Sequence, residues 1–281
     1  MPEGIADMSS EAVLLAGGGA AILLQLADRR VGHGVARHSD FASRPLDRLH
    51  GTMTYLYAIV HGSPAEAAYV RRLVDRAHGP VHSDRHAPAP DPGDPDADVR
   101  YDAFDPDAQL WVAATLYDSA VRVWERVFGP LPAERAERIY REYAIVGTAL
   151  QVPPGAWPED RAAFRLWWDA RLAALDVDDE ARDVATRLLH PATGPLWMRL
   201  VMPTARLVTA GLLPPPVREA FRLPWSPRRA RRYEAVMDVA AVVVPRLPRR
   251  LRHVLRDRYL AGLRRRMRAD AGRPGWTTRA S

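Results

Sequence analysis

Apolar residues recur along most of this chain every three or four positions, and alternating apolar–polar runs of the kind that predict strands are nearly absent. After Ser43, for example, apolar side chains fall at Leu46, Leu49, Met53 and Leu56 before a glycine stops the pattern. That spacing places them on one face of an α-helix. The pattern therefore predicts an all-α protein.

Start and stop signals divide the pattern into helices. The clearest start is Ser63–Glu66, which offers a hydroxyl for the N-cap, a proline at the first helical position and a glutamate at the third. The glycine and proline that follow His78 should end or kink this helix. Helices are predicted at residues 44–61, 64–82, 106–128, 132–150, 158–175, 178–189 and 195–210.

The N-terminal segment is predicted to form two apolar pieces. Ser9 is expected to cap the first piece, which the glycines Gly17–Gly19 break. The second is expected to run through Ile22 toward His38.

We expect one domain, residues 1–281, of about ten helices. Residues 83–100 are rich in proline and aspartate and are predicted to form a surface loop. Residues 226–268 are predicted to form arginine-rich C-terminal helices, interrupted by Pro245 and Pro248. The sequence has no internal repeat.

Two residue types are missing, cysteine and lysine, and each absence excludes certain catalytic and metal-binding sites. The chain has no cysteine, which excludes disulfides, thiolate nucleophiles, iron–sulfur clusters and cysteine-bound metals. All 40 basic residues are arginines, which excludes a Schiff-base lysine and a P-loop lysine. No nucleophile elbow or nucleotide-binding fingerprint stands out.

The net charge of +6 is unevenly distributed. Between Ser226 and Arg268, fourteen arginines stand against three carboxylates, a local net charge of +11. This segment is either a solvated helix face or a surface for peripheral membrane contact. No specific nucleic-acid partner is expected, because no recognition motif or row of aromatic residues accompanies the arginines.

The N-terminal residues favour a cytoplasmic protein. They carry Glu3, Asp7 and Glu11 and no basic residue, whereas a secretory signal begins with positive charge. The longest apolar stretch, Ala12–Ala27, is too short for a membrane span and is interrupted by glycines and Gln25.

A series of short segments resembles a known family when the segments are taken in order. They are Gly17–Ala27, His33–Val35, His38–Phe41, Val74–His78, Leu110–Ser119, Thr209–Pro215 and Leu223–Pro227. Their order and spacing are similar to those of the MpaB-type and latex-clearing rubber oxygenases, over about residues 14–255. The resemblance implies an all-α fold around an apolar pocket that holds haem b, with a histidine on the iron. It also implies an oxygenase that uses dioxygen on a small apolar or terpenoid-like substrate.

His78 is the candidate iron ligand that the resemblance indicates. Val74 and Val81 lie about one turn away on either side, so an apolar setting is expected for its imidazole. A neutral imidazole in such a setting suits iron. From the residues alone, a half-buried histidine bonded to a carbonyl remains the alternative.

Arg48 and Thr52 form a candidate pair for the distal side of the haem, again by resemblance. Their i, i+4 spacing places both on one helical face, with Tyr55 further along. Some relatives have an iron-binding lysine beside the threonine, where this chain has Gly51. A surface arginine and a helix-satisfied threonine remain the alternative.

Further pocket residues are expected from the same resemblance. His38 is expected to pack against the pocket in a structural role and to contribute to cofactor binding. The helix at 106–128 is expected to contribute Trp111, Thr115 and Tyr117 to the cavity, with Thr115 binding the cofactor. Aromatic residues in such a helix are nevertheless more often core than pocket.

Two departures from the family pattern bear on activity. Many relatives have a histidine where this chain has Ala113, and a histidine–proline pair where it has Asp28 and Arg29. The loss of a polar pocket group allows a non-catalytic haem- or lipid-binding protein as an alternative function. An arginine-rich membrane- or nucleic-acid-associated protein is a third interpretation.

Histidine spacing offers an alternative to haem, a site for zinc or non-haem iron. His78, His82 and His86 are four residues apart, which on an unbroken helix would align three imidazoles. Pro80 and the polar stretch after it argue against that helix. If the iron ligand is not His78, then His38 and His33 are the next candidates.

Overall fold

The computed structural model describes residues 2–38, 45–83, 99–191 and 196–272. Within these ranges every regular element is a helix, which confirms the all-α prediction. The α-helices are α1 (Ile5–Ser9), α2 (Gly18–Leu26), α3 (Arg29–His38), α4 (Pro45–His61), α5 (Pro64–His78), α6 (Pro106–Phe128), α7 (Ala133–Tyr143), α8 (Ile145–Thr148), α9 (Arg161–Ala173), α10 (Asp179–Leu189), α11 (Leu196–Leu212), α12 (Pro215–Ala220), α13 (Pro227–Val243), α14 (Arg249–Arg252) and α15 (Val254–Ala271). The described ranges also contain two 3-10 helices, Ala12–Gly17 and Val244–Arg246, which precede α2 and follow α13.

Helix α6 is central to the fold, and its bounds are the predicted 106–128. Asp105 caps its start by accepting a 2.9 Å hydrogen bond from a backbone N–H of the first turn. Trp111, Ala114 and Val123 are fully buried along it. Helices α2 and α13 and the first 3-10 helix pack against it, so α6 is enclosed on several sides.

The glycines Gly17–Gly19 form a close junction of three elements. The first 3-10 helix ends and α2 begins within them, where the sequence predicts a break. A Cβ on Gly19 would lie 2.0 Å from Oγ1 of Thr209 on α11. A Cβ on Gly17 would lie 2.9 Å from the carbonyl oxygen of Ser119 on α6. Residues without side chains are therefore required where the backbones approach this closely.

Some predicted boundaries are wrong. Ser9 ends α1 instead of capping the next segment, and its hydroxyl lies 2.9 Å from Nε2 of His61 on α4. The predicted helix 132–150 is divided into α7 and α8. The division occurs because the amide of Ala144 bonds to Arg141, three residues back, which tightens the turn.

Asp28 divides the segment predicted to run from Ile22 toward His38. Its carboxylate accepts a 3.0 Å hydrogen bond from the backbone N–H of Arg30, which competes with helix continuation. The helical stretches on the two sides of this corner are bent by 102°. Asp28 also accepts a 3.0 Å hydrogen bond from Arg171, so the corner is tied to α9.

No single helix in the described ranges combines the length and the apolar composition that crossing a bilayer requires. One bent pair, Ala12–Leu26 with Arg29–Arg37, reaches that length and composition when its two arms are counted together.

Candidate functional site

A cavity of about 520 Å³ lies between helices α2 to α6 and α8. This volume is within the range of about 300–1,000 Å³ typical of ligand pockets. Valine, leucine and alanine side chains form much of its wall. The polar side chains that matter most for its chemistry are Gln25, Arg48, Thr52, Tyr55, His78 and Gln109. The three principal residues predicted from sequence, Arg48, Thr52 and His78, therefore line one cavity.

His78 is the last residue of α5, so the predicted bound of 82 is wrong. The helix ends at the glycine and proline that were expected to end or kink it. Its ring meets Phe104 edge-on, with the centroids 6.1 Å apart. Its Nδ1 is buried and has no hydrogen-bond partner among the described residues. Burial lowers the pKa of His78, and the nearby positive charge of Arg48 lowers it further. The imidazole is therefore held neutral, the form that coordinates a metal.

A chain of side-chain amides holds α5 against α6. The backbone N–H of Gln151 donates to Oε1 of Gln109 on α6 over 2.9 Å. The side-chain amide of Gln151 donates to Oδ1 of Asp75 over 3.2 Å. Asp75 lies one turn before His78, so these bonds determine where the imidazole stands relative to α6.

Arg48 and Thr52 stand one turn apart on α4 and face the cavity, as their spacing predicts. Burial lowers the pKa of Arg48, because a guanidinium is poorly solvated there. Tyr55, on the same helix, donates a 2.6 Å hydrogen bond to the carbonyl of Val146 on α8. That bond anchors the helix that carries both residues.

The face of α6 that lines the cavity differs from the one expected. It comprises Gln109, Val112, Ala113 and Leu116, at the i, i+3, i+4, i+7 positions of one face. Trp111 turns away from this face, and its indole N–H donates to the carbonyl of Leu24 over 3.0 Å. It stacks on Trp168, with centroids 5.0 Å apart.

Tyr117 is also turned away from the cavity. It lies in an aromatic cluster whose other members are Tyr140, Tyr143, Trp157 and Phe164. Expecting Trp111 and Tyr117 in the cavity was therefore wrong, because successive residues of a helix point about 100° apart. Both are core residues.

Thr115 was expected to line the cavity and bind the cofactor, but it lies fully buried behind the cavity wall, with Gln25 in front of it. The Thr115 hydroxyl donates to the carbonyl of Val112 over 2.8 Å. It must therefore act as acceptor toward Nε2 of Gln25, 3.1 Å away. This fixes the orientation of the Gln25 carboxamide on the cavity wall. Gln25 was not predicted as a site residue, although it is the one polar residue in the apolar run from Ala20 to Ala27.

An ionic cluster stands at the side of the cavity. Arg30, which lines the cavity, donates to Asp107 at 2.7 Å and to Asp105 at 2.9 Å. Arg171 donates to Asp107 at 2.9 Å and to Asp28 at 3.0 Å. The hydrogen bond with Asp28 keeps the pKa of Arg30 above its usual value. Asp28 therefore has a structural role between α2, α6 and α9.

The other histidines are separated from His78. His82 is exposed and belongs to an isolated bridge with Asp102, so the four-residue spacing does not continue a helix. In the described ranges, no three histidine, aspartate or glutamate side chains are grouped to hold a metal ion. His33 is fully buried, with Nε2 2.7 Å from Asp178, and links α3 to the start of α10. The predictions for His86 and for the side chain of His38 lie outside the described residues.

Comparison with known proteins identifies a family and two similar proteins for this chain. Residues 6–242 match the family model described as ER-bound oxygenase mpaB/B′/Rubber oxygenase, catalytic domain. The chain is also similar to Uncharacterized protein Rv2237 of Mycobacterium tuberculosis and Uncharacterized protein Mb2261 of Mycobacterium bovis. Each is 34% identical over 254 residues, which cover 89% of this chain and 96% of the relative. No solved structure matches the chain.

Proposed function

This chain belongs to the family of MpaB and rubber-oxygenase catalytic domains, and we propose that it is a haem b-dependent oxygenase acting with dioxygen on an apolar, terpenoid-like substrate. The observation that carries this proposal is the state of His78. A buried ring nitrogen without a hydrogen-bond partner among the described residues is costly, unless a ligand satisfies it.

The residues of the cavity fit a haem. His78 offers a neutral imidazole to the iron. Arg48 and Thr52 offer hydrogen-bond donors on the same cavity wall, suited to a propionate or to a polar distal ligand. When bound, the haem supplies the redox chemistry that activates dioxygen.

The chain's own contribution is a selective, largely apolar chamber. Val74, Val81, Val112 and Leu116 give it an apolar wall, which favours a hydrocarbon-like substrate. Arg48 provides a hydrogen-bond donor on that wall. The carboxamide of Gln25, whose amide is held by Thr115, provides a second polar group of fixed orientation. Selectivity then depends on the shape of the chamber and the placement of these few polar groups.

The test is the absorption spectrum of protein purified from cells supplied with a haem precursor. We expect a Soret band that disappears or shifts in His78→Ala. The matched control is His82→Ala, which removes an exposed histidine four residues away and should leave the band unchanged. Absence of a Soret band in folded wild-type protein after haemin addition overturns the haem assignment. A band that His78→Ala leaves unchanged overturns the assignment of the ligand.

A second candidate function is haem or lipid binding without turnover. Ala113 favours it, because it lines the cavity at a position where the family resemblance implies a histidine. A Soret band without substrate-dependent oxygen uptake, across a series of apolar alkenes, would support this candidate. The informative variant is Ala113→His. If this variant takes up oxygen with substrate and the wild type does not, the absence of activity in the wild type is due to Ala113.

A further inference from the structure

The C-terminal helices carry an apolar strip that the cavity does not use. On α13, Val239, Val242 and Val243 have 63%, 55% and 47% of their surface exposed. Their spacing places them on one face of the helix. Leu247 and Leu251 follow within the next eight residues and are also exposed. Soluble proteins expose single large apolar residues, but a concentration like this one marks a contact surface.

Arginines extend and border this strip. Those that are exposed on the same stretch are Arg228, Arg231, Arg232, Arg246, Arg249 and Arg250. None of the six forms an ion pair with a carboxylate in the described part of the chain. The two carboxylates of α13, Glu234 and Asp238, pair instead with Arg126 of α6, at 2.8 and 2.5 Å. The positive charge of this face is therefore not neutralised by the chain's described carboxylates.

We propose that this apolar–basic surface, formed by the five apolar residues and six arginines named above, docks on an anionic lipid bilayer. Valine and leucine side chains would enter the boundary between headgroups and acyl chains, where burial of apolar surface drives binding. The arginines would meet the phosphates of anionic headgroups, which attract basic side chains close to the membrane surface.

The end of α13 is suited to a region of low water content. The guanidinium of Arg246 donates to the carbonyl of Val242, and the amide of Leu247 donates to the carbonyl of Val244 over 3.1 Å. These bonds satisfy carbonyls that a helix end would otherwise leave to water. Lower exposure of unpaired backbone groups reduces the cost of approaching the hydrocarbon region.

Other occupants fit this surface less well. Residues 239–251 contain no aromatic side chain to stack on bases, and a nucleic acid would leave the valines and leucines in water. A symmetric contact with a second copy would bring two arginine clusters together, with like charges opposed. A bilayer with anionic headgroups complements both the apolar and the basic parts.

The test is vesicle co-sedimentation of the whole chain, with phosphatidylcholine vesicles compared with vesicles that also contain phosphatidylglycerol. We expect binding to the anionic vesicles that weakens with salt. The variants Val242→Ser/Val243→Ser/Leu251→Ser and Arg249→Gln/Arg250→Gln should each lower the partition coefficient by about ten-fold or more. Circular dichroism and thermal unfolding check that both variants fold.

The matched control is Arg165→Gln/Leu166→Ser on α9, where the arginine and the leucine are both exposed. It should bind vesicles as the wild type does. Binding by either test variant that equals binding by the wild type overturns the proposal, and so does the absence of binding to anionic vesicles at low salt. So does DNA binding that exceeds vesicle binding, or self-association that the valine and leucine substitutions abolish. The vesicle assay needs no haem. Its result therefore tests the membrane surface separately from the proposed oxygenase function.

Discussion

The side-chain amide of Gln25 on α2 donates to the hydroxyl of Thr115 on α6 over 3.1 Å, immediately behind the cavity wall. The hydroxyl in turn donates a hydrogen bond to the carbonyl of Val112 over 2.8 Å. The two side chains therefore depend on each other unequally. Without Thr115, the amide of Gln25 loses its acceptor, whereas without Gln25 the hydroxyl keeps its bond to Val112.

This inequality gives the first prediction. Thr115→Val should lower the free energy of unfolding by about 1–3 kcal/mol, because it leaves a buried amide without its partner. Gln25→Leu should cost less. Urea denaturation of both variants and of the double variant measures the difference. The double variant should be more stable than the sum of the two effects predicts. A larger loss in Gln25→Leu than in Thr115→Val would contradict the hydrogen-bond direction stated here.

The second prediction concerns the junction at Gly19. Gly19→Ala should destabilise the fold by about 1–3 kcal/mol, because its Cβ would overlap Oγ1 of Thr209. The matched control is Gly18→Ala, whose Cβ would meet nothing closer than 4.0 Å, at Leu15. That variant should be neutral or stabilising, since alanine favours the helix. Thermal unfolding of the pair distinguishes the two sites, and equal shifts would show that α2 and α11 are less closely packed.

The third prediction concerns the ionic cluster beside the cavity. Arg171→Gln should cost about 1–3 kcal/mol, because it removes charged hydrogen bonds to Asp28 and Asp107, and Asp28 is largely buried. Arg187→Gln is the control, since Arg187 pairs with Asp183 on an exposed face of α10. Exposed pairs contribute about 0–1 kcal/mol. Urea denaturation compares the two, and a loss in Arg187→Gln as large as in Arg171→Gln would refute this ranking.

The fourth prediction is a pH dependence of stability that arises from His61. Its burial, together with the charges of Arg256 and His253, lowers its pKa to about 4. The unfolded state therefore binds a proton between about pH 6.5 and pH 4 that the folded state does not. Stability should fall as the pH falls through this window and should be unaffected by this group above it.

His61→Gln tests that contribution. The wild type minus variant difference in unfolding free energy should decrease by about 1–3 kcal/mol between pH 7 and pH 4. Titrating carboxylates are common to both proteins and cancel in the difference. His82→Gln, which removes an exposed histidine, serves as control and should leave the pH profile as it is. A pH-independent difference for His61→Gln would mean that its protonation is not coupled to folding.

The sequence by itself determined the helical class, the capping box at Ser63–Glu66 and the bounds of α6. These features are local, because apolar periodicity, side-chain caps and proline act within one or two turns. It also brought Arg48, Thr52 and His78 forward as candidates, through the order of family-like segments. The family itself was predicted correctly. The role of the candidates in haem binding stays a prediction.

Only the tertiary structure decided which face of α6 meets the cavity. The apolar pattern of this helix extends around most of its circumference, so the sequence did not decide between Trp111 and Tyr117 on the cavity wall and the same residues in the core. The surrounding helices made the choice, because α9 stacks Trp168 on Trp111. Gln25 and the corner at Asp28 likewise depend on partners about 90 and 143 residues away. Contacts at such separations leave no periodic signal in the chain, because they are set by how whole helices pack together.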